Sequence, residues 1–144
     1  MNFEEPGDAD IKRLAEQLLV AEQLTARHAG RIKLDGSRQD LGPIQAVLDS
    51  RELGPTDTYE LQCLGVAFGR VVVDAFPGLD WAIIDDEYGR DPTLRYTATN
   101  VALNVLTMIS KRIEEGKHVD VTQLLEQLLA DLPRIIDEST GGAV

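Results

Sequence analysis

Trp81-Ala-Ile-Ile-Asp-Asp-Glu-Tyr-Gly-Arg-Asp-Pro-Thr-Leu-Arg-Tyr96 sets an apolar run, a charge-dense turn and a second alternating run side by side. That order is a β-hairpin pattern, with strands near Trp81 to Asp85 and Thr93 to Thr97 and with Gly89 able to take the positive φ a turn demands. Alternation continues in Val101 to Leu106, so a third strand is expected and the sheet reads as a three-stranded antiparallel meander. Leu94 and Tyr96 share one face of the second strand, and Val101, Leu103 and Val105 share one face of the third. The opposite face would carry Thr93, Arg95, Thr97, Ala102 and Asn104, with Asp85 alongside from the first strand.

Just upstream, the apolar residues of Thr56 to Phe76 cover almost the whole circumference of a helix and contain no turn signal. The spacing predicts one long buried helix as the bed for the meander. Gly65 and Gly69 stand four apart on one face of it, where each costs about 1 kcal/mol against alanine unless the missing side chain is used. A close crossing by another backbone is the expected use.

Further out, Ile11, Leu14, Ala15, Leu18, Ala21 and Leu24 fall at helical spacing, with Arg27 and His28 at the negative end of the dipole and Gly30 placed to cap. A loop with an extended piece at Ile32 to Leu34 follows. Asp40 is set to cap a short helix carrying Ile44, Val47 and Leu48, which Gly54-Pro55 ends. Beyond the meander, Met108, Ile109 and Ile113 form a helical stripe stopped by Gly116. Asp120 and Gln123 are spaced as a capping box for a last helix, Val121 to Leu132, which Pro133 ends or kinks. The expected architecture is α+β: a helical layer with a long buried helix packed on a three-stranded meander, in one domain over residues 1–144, with disordered ends at 1–7 and 139–144.

Composition narrows the function classes. The chain of 144 residues is 43% hydrophobic and 27% charged, too apolar for a disordered protein. Its net charge of −11 opposes phosphate backbones and anionic lipid surfaces, so neither nucleic acid nor membrane is expected as a partner, and a basic protein partner is electrostatically favoured. The acidic start, Met1 to Asp8, lacks a signal-peptide pattern, and the single Cys63 suits a reducing compartment, which makes the cytoplasm the expected location.

Chemistry is sparse. Asp85, Asp86, Glu87 and Asp91 offer oxygens, but Arg90 stands where a calcium-loop pattern needs a ligand, and ion pairing of the acids with Arg90 and Arg95 across the hairpin is the simpler expectation. No metal or other cofactor is expected. His28 and His118 have no carboxylate or nucleophile at a useful spacing, and Cys63 lies in the most apolar helix, where a thiol is inert. No phosphate-binding loop, dinucleotide fingerprint, nucleophile elbow or zinc-ligand spacing is present. The candidate site is therefore a binding surface: Asp85, Asp86, Glu87, Tyr88, Arg90, Asp91 and Arg95 from the hairpin, with Lys111 and Arg112 from the segment after the third strand. An exposed tyrosine among charges is common at protein interfaces.

Asp86-Glu-Tyr-Gly-Arg-Asp-Pro92, with Ser110, Lys111 and Arg112 in Met108-Ile-Ser-Lys-Arg112, resembles a bacterial family of uncharacterised domains over about Thr56 to Leu129. The resemblance implies a small α+β domain and carries no established activity, so no residue role transfers. The functional expectation is a noncatalytic module that binds a protein partner or small ligand through the charged hairpin. An immunity-type inhibitor of a basic toxin is the alternative, and a hydrolase using the acidic hairpin is the third.

Overall fold

The computed structural model describes residues 2–30 and 33–139. Its elements run in the order β1 (Phe3–Glu4), α1 (Asp8–Ala29), a 3₁₀ turn (Arg38–Asp40), α2 (Leu41–Ser50), α3 (Thr58–Ala75), β2 (Leu79–Asp86), β3 (Gly89–Tyr96), β4 (Ala102–Leu103), α4 (Val105–Glu114) and α5 (Val121–Ser139). The class is α+β, and the sheet has four antiparallel strands in the order β1-β2-β3-β4.

Two departures from the three-stranded expectation arise at the sheet's edges. Phe3 and Glu4, set by the sequence in a disordered end, pair with Ile84 and Ile83. The run Val101 to Leu106 supplies only two residues of strand before its backbone turns into α4 at Val105. Its apolar residues serve either period: Leu106, Ile109 and Ile113 lie at helical spacing, and tertiary contact selects the helix.

That contact is with α3, which packs against α1, α2, α4, α5 and β2. It is buried through residues 61–72 except at Gln62 and Arg70, while Thr58, Tyr59 and Asp74 reach solvent, so it is a core helix along its middle and not its whole length. At Gly65 a side chain would sit 2.7 Å from the Leu106 carbonyl oxygen and 2.8 Å from Leu106 Cα. The glycine therefore admits the α4 backbone, as its cost in a helix implied. At Gly69 the neighbours are the Trp81 ring and a Val105 methyl, both 2.8 Å from an added Cβ.

The helix ends show which local signals acted. Gly30 closes α1 in the left-handed region (φ 66°) and donates to the Ala26 carbonyl. Asp120 accepts from the Gln123 N–H at 3.1 Å, as the capping spacing predicts. Asp40, however, makes no side-chain cap on α2. Its buried carboxylate accepts from the Gly36 and Asp35 amides at 2.8 and 3.2 Å, and burial raises its pKa against those bonds. α2 ends at Arg51 (φ 60°), ahead of Gly54-Pro55. α5 runs through Pro133, which lies on the exposed side, where solvent can take the carbonyl the ring leaves free. Of the extended piece expected at Ile32 to Leu34, Ile32 lies outside the described residues and Lys33 and Leu34 form no strand. Of the tail expected at 139–144, Ser139 is instead the last residue of α5, and 140–144 lie outside the described residues.

Candidate functional site: the β2–β3 hairpin

Continuous pairing from Leu79↔Tyr96 to Asp86↔Gly89 leaves only Glu87 and Tyr88 in the loop. The turn is thus tighter than the sequence suggests, and Asp91 and Pro92 belong to β3. Proline is tolerated there because β4 pairs only with Leu94 and Arg95, leaving β3 unpaired on that side at Pro92. Gly89 takes φ 117°, and the Tyr88 N–H donates to Asp86 Oδ1 at 2.9 Å. Asp86, Glu87 and Asp91 are exposed, and Tyr88 is 85% exposed at the apex.

The hairpin's base is tied down by Arg90. Its Nη1 lies 2.6 Å from Glu4 Oε2, its Nη2 lies 2.9 Å from Asp10 Oδ2, and Asp85 completes the group at 3.6 Å. Asp10, buried at the third position of α1, also accepts the Gly7 N–H at 2.9 Å. The Gly7 hydrogen bond and the Arg90 guanidinium together hold the Asp10 carboxyl below its usual range, against the opposing effect of burial, and the bond to Asp10 raises Arg90. Arg90 therefore links β1, α1 and the hairpin. The cross-strand pair with Asp85 exists, but Glu4 and Asp10 are the closer partners. Pairing also puts Asp85 on the face of Ile83 and Trp81, against the expectation that it accompanies Thr93 and Arg95.

Other candidates divide. Arg95 does not pair with the hairpin acids: its Nε donates to the Thr99 carbonyl at 2.7 Å and its guanidinium stacks 4.3 Å from the Phe3 ring centroid. Lys111 shares a cleft of about 260 Å³ with Asp86 and Asp91, without a direct ion pair to either. Arg112 turns away, donating to the Met108 carbonyl at 2.8 Å and lining a separate cleft with His118. The structure thus brings Asp86, Asp91 and Lys111 to one cleft, leaves Glu87 and Tyr88 in the exposed turn, and engages Arg90, Arg95 and Arg112 internally.

Two residues essential to this arrangement, Glu4 and Asp10, were not on the sequence's list. A glycine followed three residues later by Asp10 was the available signal, and it marks a helix start without revealing a partner eighty residues away. Long-range pairing also supplies His28 with a carboxylate, Glu52 Oε2 at 2.5 Å, while Arg27 holds the other oxygen at 2.8 Å. Cys63 is fully buried, and burial pushes its thiol up to about 11. Among the described residues, no group of three or more His, Cys, Asp or Glu side chains is arranged to hold a metal, and no helix is long and apolar enough to cross a membrane.

A family described as a domain of unknown function (DUF3806) matches residues 40–124, more than half of the chain and including the hairpin and α4. The chain belongs to this family. DUF3806 membership brings no activity with it, and no curated protein matches the sequence. A crystal structure from Bacteroides thetaiotaomicron VPI-5482 is similar with a TM-score of 0.78 over 90% of this chain at 16% identity. The similarity is one of fold, and the chain spans 48% of that protein's length.

Proposed function

We propose that this DUF3806 chain is a noncatalytic interaction module whose hairpin tip, formed by Asp86, Glu87 and Tyr88 with Asp91 and Lys111 beside it, docks on a protein partner. One observation carries the reading: Tyr88 stands 85% exposed on a two-residue turn whose base is held by Arg90 to two other elements. A tyrosine on a turn whose base is tied down has only two side-chain torsions to order on binding, which is what makes it a frequent anchor. Flanking carboxylates and the net charge of −11 favour a partner with a basic patch. An inhibitor that caps a basic toxin is the special case of that chemistry.

The test compares Tyr88→Ala and Glu87→Lys with wild type, using a partner captured from native lysate and then titrated by calorimetry. Tyr88→Ala should weaken binding by at least about tenfold, as an anchor residue does, while leaving the melting temperature unchanged. Unaltered affinity in both variants would refute the site. Charge reversal at Arg90 or Arg95 is a poorer test, because both are engaged within the fold.

A further inference from the structure

A second concavity lies between α1 and the start of β2, with Glu5 and Pro6 at its edge. It encloses about 560 Å³, within the range of small-molecule sites. One wall is helical: Ile11, Leu14 and Leu18 of α1 face the groove beside the core-directed stripe of Ala21 and Leu24, and Ile11 is left 55% exposed. The facing wall is the half-buried Trp81 ring, seated against α3 where Gly69 has no side chain. The apolar face of α1 is therefore wider than the surface available to cover it.

The charge at the rim decides what the groove can accept. Arg70 would by itself suggest an anion, but its Nη1 already donates to the Leu34 carbonyl at 3.4 Å. Arg95 stands opposite Asp80 and shares the adjoining cleft with Asp80 and Glu5, but its guanidinium is taken by the Thr99 carbonyl and the Phe3 ring, so Glu5 and Asp80 pair with no described cation. Among the described residues, Asp80 accepts the Trp81 N–H alone, at 2.8 Å. We infer that this groove binds an amphipathic organic amine, whose alkyl or aryl body lies along α1 and Trp81 and whose ammonium meets the carboxylates of Asp80 and Glu5. Trp81 serves both parts of such a ligand, since its face attracts cations and its surface is apolar.

Trp81 is the chain's one tryptophan, so its fluorescence reports the site directly. The full chain is titrated at low salt with octylamine, octanoate and octanol, which share a tail and differ in head group. Octylamine should shift the emission saturably and bind at least about tenfold tighter than either analogue. Asp80→Asn should remove most of that preference, Ile11→Ser should weaken all three ligands, and Tyr88→Ala should change nothing. Tighter binding of octanoate would mean that Arg70 rules the site, and equal or unsaturable responses would mean a hydrophobic surface without charge selection. Either result overturns the inference, as would a preference that survives in Asp80→Asn and Glu5→Gln alike. The hairpin-tip reading stands or falls separately, because Tyr88 takes no part in this groove.

Discussion

Replacing Gly65 by alanine tests how α3 and α4 are joined. The new methyl would lie 2.7 Å from the Leu106 carbonyl oxygen, 2.8 Å from Leu106 Cα and 2.9 Å from the Val105 carbonyl oxygen. All three are backbone atoms at the first turn of α4, so no rotamer change relieves the clash and the helix must move bodily. Overpacking of this kind costs about 1–3 kcal/mol, and contact with backbone puts the cost near the upper end. Alanine returns about 1 kcal/mol of helix propensity. The net loss is about 2 kcal/mol, which for a chain of this length lowers the melting temperature by roughly 6–8 °C. Thermal and urea unfolding followed by circular dichroism measure it. A Gly65→Ala protein that melts at or above the wild-type temperature would show that α4 does not need the gap, and the close-crossing account would be wrong.

Gly69→Ala should be milder, because the obstructing atoms are side-chain atoms of Trp81 and Val105, and it should shift Trp81 emission where Gly65→Ala does not. Asp10→Asn carries a pH signature. The folded-state pKa of Asp10 is depressed, so its contribution is fully present above the ordinary carboxylate range, near 3.8, and is lost as pH falls through the folded value. The gap in urea midpoint between wild type and Asp10→Asn should accordingly be flat near neutral pH and close on acidification below about pH 4. A gap that widens in acid would contradict the Arg90 linkage. Arg90→Met should loosen β1, seen as faster hydrogen exchange at the Asp85 amide, which donates to the Asn2 carbonyl at 3.1 Å. With its thiol raised to about 11 by burial, Cys63 should resist a disulfide reagent at neutral pH until denaturant is added. Rapid labelling of the native chain would place it elsewhere.

Where the information was local, the residues alone were sufficient. The stripe in α1 with Gly30 behind it, the Asp120 cap of α5 and the existence of the β2–β3 hairpin follow from periods of 3.6 and 2 and from neighbours along the chain, and the cost of glycine in a helix signalled that Gly65 is used without saying by what. Tyr88 at an exposed tip was legible for the same reason. The short apolar run Val101 to Leu106 was not, since six residues fit both periods and only the fit of Val105 and Leu106 against Gly65 favours the helix.

Charge partners were the least legible, because ion pairs obey distance in space and carry no period in sequence. Arg90 reads as a hairpin cation paired across its own turn, yet the fold delivers Glu4 and Asp10 to it from the far end of the chain. Arg95 likewise ends against Phe3, and Arg112 turns from the hairpin toward the cleft of His118. Local sequence thus determined the main helices, the β2–β3 hairpin and the tip that projects. Tertiary packing alone decided which charges are consumed in holding that tip and which remain to meet a ligand, because a charge is committed only when folding brings its counterpart within a few ångströms.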